Sequence, residues 1–221
     1  MLVCHEFYKH FPDKGLFGIG GDHSISYPLT KAWLIAKRAQ GKKTAIIHFD
    51  AHTDLLVERL GIDLCFGSWC THILEYLPQP RNLVQIGIRS TGKSKEHWQN
   101  TFGVVQHWAK DVKVQGAQAI ADHILAQLKA DGVDELYVSF DIDAIDASWA
   151  AATGTPEPDG ITPDDALLII NTLIEHFPVT GADMMEIAPF LNTTQAPSDE
   201  PKTTLKVGAD ISATLIKAMQ K

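Results

Sequence analysis

Thr44-Ala45-Ile46-Ile47-His48-Phe49-Asp50-Ala51-His52-Thr53-Asp54 decides the fold class of this chain. Its first part is a nearly continuous apolar run, the kind that suits a parallel strand covered on both faces. Its last five residues change character at once, with three candidate metal ligands, Asp50, His52 and Asp54. Their i, i+2, i+4 spacing points them one way on an extended segment. Two other apolar runs end alike. Leu136-Tyr137-Val138-Ser139-Phe140 leads into Asp141-Ile142-Asp143, and Leu16-Phe17-Gly18-Ile19 into Gly20-Gly21-Asp22-His23-Ser24. In open α/β sheets, ligands bind beyond the carboxyl ends of the strands. All three clusters fall there, as does Glu186.

Outward from these ends, strands and helices alternate. Strands are expected at Leu16–Ile19, Thr44–Phe49, Leu83–Ile88, Gly103–His107, Leu136–Phe140 and Val179–Ile187. Helices are expected at Ser26–Gln40, Ser68–Leu77 with Ser68 as N-cap, Val114–Ala130, Thr162 to about His176, and roughly Lys202–Met219. Ala117, Ile120, Ile124 and Leu128 form one apolar face. In Thr162-Pro163-Asp164-Asp165 the threonine caps and the proline takes the first helical position. Gly92–Asn100 reads as a short helix or an ordered loop, Leu55–Gly67 as loop and turns, Ala144–Gly160 as a loop across the mouth of a site. Met1–Lys14 reads as an irregular, solvated terminus. The alternation predicts an α/β fold, three αβα layers around a mostly parallel sheet, in a single domain over residues 1–221.

Composition bounds the function. The chain has 221 residues, is 45% hydrophobic and 21% charged, and carries a net charge of −8. That balance disfavours nucleic acid or an anionic membrane surface as a partner. No apolar run approaches the ~20 residues of a membrane span, and no signal peptide opens the sequence, so the cytoplasm is the expected location. The three cysteines, Cys4, Cys65 and Cys70, have neither the number nor the spacing of a disulfide framework or a zinc site. Cys65 and Cys70 read as buried thiols.

The donor types suggest the chemistry. Asp50, Asp54, Asp141 and Asp143 offer hard oxygens, and His23 and His52 add imidazole. An oxygen-rich site with some imidazole suits manganese, with nickel, cobalt, iron or zinc as further candidates. Four carboxylates together repel unless cations compensate them, and two divalent ions balance four. One aspartate can bridge two ions about 3.5–4 Å apart. Asp22 reads better as a helix cap than as a ligand.

These motifs, with Gly154-Thr155-Pro156-Glu157-Pro158-Asp159-Gly160-Ile161-Thr162 and Met185-Glu186-Ile187-Ala188-Pro189, resemble the ureohydrolases, the arginase and agmatinase family. The resemblance runs from about residue 16 to the end. It implies an arginase-like domain holding two Mn2+ ions. His23, Asp50, Asp54 and Asp141 would hold one, and His52, Asp50, Asp141 and Asp143 the other. It further implies that a metal-held hydroxide attacks a guanidinium carbon held by Glu186. Asp54 would pass the proton to the departing amine, releasing urea. The implied partner is a small guanidino substrate.

Two departures stand out. Phe66 occupies the place where many members carry a histidine, and His72 is the candidate replacement. The segment before the Gly-Gly-Asp-His strand is only about fifteen residues long, which leaves a sheet edge uncovered and predicts a homo-oligomer. Arg89 is followed by Ser90-Thr91-Gly92 rather than the acid arginases use, which lowers arginine and favours agmatine or a related guanidino amine or acid. Trp69 and Trp149 are candidate pocket walls or core residues. Rival readings are an arginase, a formiminoglutamase or amide hydrolase, and a non-catalytic metal-binding relative.

Overall fold

The computed structural model describes residues 2–190 and 201–220; Met1, 191–200 and Lys221 lie outside the described residues. The core of the fold is a six-stranded, wholly parallel sheet. In chain order the strands are β1 (Phe17–Ile19), β2 (Thr44–Phe49), β3 (Leu83–Ile86), β4 (Val105–His107), β5 (Glu135–Asp141) and β6 (Val179–Met185). In space they run β1-β6-β5-β2-β3-β4, so β2 and β5 lie at the centre. Every residue of these two strands is buried, which is why both read as near-continuous apolar runs.

Helices cover both faces, giving the three layers expected. One face takes α5 (Ala109–Gln115), α6 (Ala117–Asp131), α7 (Pro163–Ile174) and α8 (Lys202–Ala218) against Ala45, Ile47, Phe49, Val138 and Phe140. The other takes α1 (Leu2–His10), α2 (Ser26–Ala39), α3 (Trp69–Ile73) and α4 (Lys95–Phe102) against Ile46 and Tyr137.

Four local expectations need correction. The N-terminal stretch is not irregular: Leu2–His10 is helical, and Tyr8 is buried beside Ala32 and Trp33 of α2. The helix expected at Val114–Ala130 is two helices broken at Gly116, whose φ of 87° lies in the region that favours glycine. Ser68 precedes α3 without a side-chain cap bond; its hydroxyl donates to the Asp63 carbonyl instead, at 2.6 Å. Cys65 is only half-buried, whereas Cys70 is buried. Thr162 and Asp165 form the expected reciprocal cap of α7.

Candidate metal centre

The register of the central strands brings the acids together. His48 pairs with Ser139 and Phe49 with Phe140, so Asp50 and Asp141 emerge side by side at the carboxyl end of the sheet. Each carboxylate is also used by the turn it starts. Asp50 accepts from the His52 amide at 2.6 Å, and Asp141 from the Asp143 amide at 2.8 Å. Asp143 accepts in turn from the Ala51 amide and from the Thr155 hydroxyl, both at 3.0 Å. Gly87 lies under this turn with a φ of 99°, and a Cβ there would stand 3.0 Å from the Asp50 carbonyl oxygen.

His23 arrives from the edge of the sheet. Asp22 caps the short turn that carries it, accepting from the Ser24 amide at 2.9 Å, as the sequence suggested. The His23 amide donates to Glu186 Oε1 at 2.8 Å, and the Glu186 amide donates to the Gly21 carbonyl at 2.9 Å. Glu186 and Asp54 both have positive φ, 63° and 51°, conformations that cost non-glycine residues energy and gather at functional sites. The Trp69 indole holds Asp54 by donating to Oδ2 at 2.8 Å.

The sequence-predicted ligands thus converge. His23 Nδ1 lies 3.0 Å from Asp141 Oδ2, 3.2 Å from Asp50 Oδ2 and 3.5 Å from Asp54 Oδ2. His52 Nδ1 lies 3.1 Å from Asp143 Oδ2 and 3.3 Å from Asp50 Oδ1. Two overlapping groups of candidate ligands result, His23-His48-Asp50-Asp54 and Asp50-His52-Asp143, with Asp50 in both. His72 lies apart. Its Nε2 contacts the Asp63 carbonyl at 2.8 Å, its ring packs 6.0 Å from Tyr27, and it does not line the cleft. Nor do the two tryptophans: Trp69 is fully buried behind Asp54, and Trp149 is half exposed.

The electrostatics are those of a cation site. Burial raises the Asp54 carboxyl well above the usual range, with the charge of Asp50 adding to it. Burial does the same to Asp141, with the charges of Asp143 and Asp50 adding to it. Burial also opposes ionisation of Asp50, but hydrogen bonds from His23, His48 and His52 outweigh it and hold this group well below. Burial disfavours the charged form of His52, yet Asp143 and Asp50 push it up to about 12. No lysine or arginine is ion-paired with these four aspartates among the described residues.

His23 gives the sharper test of fit. Asp183 is buried and accepts from the Ser26 and Tyr137 hydroxyls and, at 2.8 Å, from Ser139. Ser139, its proton directed to Asp183, is left to accept from His23 Nε2 at 3.0 Å. Burial disfavours the charged form of His23, yet hydrogen bonds to Asp141 and Asp50 raise it well above the usual imidazole value, so without metal a proton on Nδ1 stands among three carboxylate oxygens, in the place a metal ion would take. The donor set fits divalent metal. Sequence reasoning missed His48, Ser139 and Asp183; their signal was a polar residue inside a largely apolar run, two positions before Asp50 and Asp141 and three before Glu186.

The cleft above the acids has a volume of about 530 Å³. His23, His52, Asp54, Asp141 and Glu186 line it together with Arg59, Phe66 and Trp98. The Arg59 guanidinium stacks 4.5 Å over the Phe66 ring, and Arg59 makes no ion pair among the described residues. No described helix is long and apolar enough to cross a membrane.

Known proteins match this chain along most of its length. The Arginase family matches residues 3–217. "Guanidino acid hydrolase, mitochondrial" from Homo sapiens is 32% identical over 206 residues, which is 92% of this chain and 54% of the relative. "Agmatinase" from Chromobacterium violaceum is 36% identical over 177 residues, 77% of this chain and 49% of the relative. Among solved structures, a hypothetical agmatinase from Burkholderia thailandensis superposes with a TM-score of 0.78 at 29% identity, covering 99% of this chain and 63% of that one. The chain spans about half the length of the curated relatives it matches.

Proposed function

Because this chain belongs to the arginase family, we propose that it hydrolyses a guanidino compound to urea and an amine with the help of two divalent ions, manganese first among them. His23, Asp50, Asp54 and Asp141 would hold one ion, and His52, Asp50, Asp141 and Asp143 the other. The observation that carries the reading is the placement of Asp50. One of its oxygens lies 3.2 Å from His23 Nδ1 and the other 3.3 Å from His52 Nδ1, so a single carboxylate reaches both halves of the site. Ions bound there supply Lewis acidity and lower the pKa of water toward neutrality.

The chain's own residues do the rest. Glu186 takes the guanidinium: its Oε1 is tied to the His23 amide at 2.8 Å, and Oε2 lies on the side of Gly154, where the missing side chain leaves room. A carboxylate matches the planar fork of a guanidinium and sets its plane for attack. Asp54, pinned at Oδ2 by Trp69, carries the proton to the departing amine. His72, bonded to the Asp63 carbonyl, takes no part in this scheme.

Arg59 favours one class of tail. It is a cation on the cleft wall without an ion-pair partner among the described residues. An anionic tail would be met there, and a second cation repelled. A guanidino acid therefore fits better than agmatine.

The test is urea release by the manganese-loaded chain against guanidinobutyrate, agmatine, arginine and a formimino substrate, with Asp141→Ala as control. The expected result is release from guanidinobutyrate, lost in the control. Silence on every guanidino compound, with metal bound, would overturn the proposal.

A further inference from the structure

Beneath the acids runs a second row of buried polar residues. Gln106, Gln85, His48, Ser139 and Asp183 occupy matched positions of β4, β3, β2, β5 and β6, and all are buried. Asp50 and Asp141 lie two positions further along β2 and β5, on the same face. From this row we infer that His48, although grouped with the candidate ligands, is not a metal ligand. It is a positioning residue, a fixed hydrogen-bond donor to Asp50, whose tautomer is dictated by a chain of amides held between the Trp108 indole and the Thr53 carbonyl.

The polarity can be followed atom by atom. An indole N–H donates and accepts nothing. Trp108 Nε1 lies 2.9 Å from Gln106 Oε1, so the amide nitrogen of Gln106 faces the other way. That nitrogen donates to Gln85 Oε1 at 2.8 Å. The Gln85 amide nitrogen then donates to the Thr53 carbonyl at 2.6 Å and to His48 Nδ1 at 3.0 Å. Both ends hold this order. Turning the Gln106 amide over would set N–H against N–H at Trp108. Turning the Gln85 amide over would set oxygen against oxygen at Thr53.

His48 Nδ1 therefore accepts, and the ring proton sits on Nε2, which lies 2.9 Å from Asp50 Oδ2. The Cys70 sulfur, 3.6 Å from Nδ1, serves as either donor or acceptor and does not alter the assignment. A nitrogen that carries a proton has no lone pair for a metal. His23 and His48, whose ring centroids are 5.1 Å apart, thus take opposite parts. His23 turns to the acids the nitrogen that a metal would take, and His48 turns a proton to one of them. Groups that fix ligating carboxylates in this way tune metal affinity, and losing one typically costs about 10–100-fold. That consequence rests on the proposed metal centre; the tautomer does not.

The test is nitrogen-15 NMR of histidine-labelled protein, first stripped with chelator and then titrated with Zn2+. In both states His48 is expected to show an unprotonated Nδ1 and a protonated Nε2. Trp108→Phe removes one of the two ends that hold the order, and because the Thr53 carbonyl still fixes the Gln85 amide, the same His48 tautomer is expected. His48→Leu should weaken Zn2+ and Mn2+ binding about 10–100-fold. His48→Gln, which keeps an N–H toward Asp50, should recover most of that loss and guards against a leucine variant that does not fold. A proton on Nδ1, loss of the Nε2 proton on Zn2+ addition, or unchanged metal affinity in folded His48→Leu would overturn the inference. A native chain that binds no metal but shows the expected tautomer would overturn the metal centre and leave the donor assignment standing.

Discussion

The two faces of the central strands make different kinds of structure from neighbouring residues. On one face, Ile47, Phe49, Val138 and Phe140 pack against α5 to α8, with the Phe49 and Phe140 rings stacked 4.8 Å apart. On the other, one residue along, His48, Asp50, Ser139 and Asp141 form a polar layer joined through His23. The backbone places both faces equally well. Their energetics differ: the apolar face depends on volume and area, and a volume-conserving change there typically costs under about 1.5 kcal/mol. The polar face depends on direction, because a buried group left without its partner costs about 1–3 kcal/mol. A metal centre needs the second kind of face, and the first kind makes the platform stiff enough to hold it.

Changes on each side test that division. The largest effect is expected from Ile47→Ala, on the apolar face. It should lower unfolding free energy by about 2–5 kcal/mol in chemical denaturation, with metal stoichiometry unchanged. Loss of metal without loss of stability would erase the distinction between the faces. Next comes Arg59→Glu, at the cleft wall. Removing a charge-assisted contact worth about 1.5–3 kcal/mol should cut kcat/KM for guanidinobutyrate roughly 10–100-fold and leave agmatine unharmed or improved. Equal losses on both substrates would reduce Arg59 to a loop support.

The pH dependence of metal binding probes the polar face as a whole. Asp54 and Asp141 are raised by burial, His23 is raised well above the usual imidazole value, and His52 is pushed up to about 12, so the metal-free chain retains protons on groups the proposed ions would use. Each proton displaced makes affinity rise about tenfold per pH unit. Asp50, held well below the usual carboxylate range, contributes nothing to that slope near neutrality. Calorimetry in buffers of different ionisation enthalpy would count the protons, and a flat pH profile would contradict the assignment. The smallest effect concerns β1. It is an edge strand, its Ile19 is 80% exposed, and we propose self-association through it. Light scattering should report an oligomer, and a clean monomer at working concentration would count against it.

Much of this was legible in the sequence for one reason: the strand-end clusters carry both position and chemistry. Asp50-Ala51-His52-Thr53-Asp54 announces a strand, its end and its candidate ligands together. The Thr162 cap was legible because capping is local. What was not legible depends on tertiary contact. The first residues form a helix because Tyr8 finds a buried place beside α2, a partner far along the chain. The α5–α6 break was hidden because the periodic face from Ala117 to Leu128 is real, while Val114, taken into the same helix, is 85% exposed beyond Gly116. The polar row escaped because His48 is a single polar residue in an apolar run. Its meaning appears only when Gln85 and Ser139 are set beside it.

The most direct test of the account is metal stoichiometry, measured by native mass spectrometry on manganese-loaded protein, for the unmodified chain, Asp143→Ala and Asp50→Ala. Two ions per chain are expected, at most one after Asp143→Ala, and none after Asp50→Ala, because Asp50 turns one oxygen to His23 and the other to His52. A single ion in the unmodified chain, or Asp50→Ala that still carries two, would contradict it.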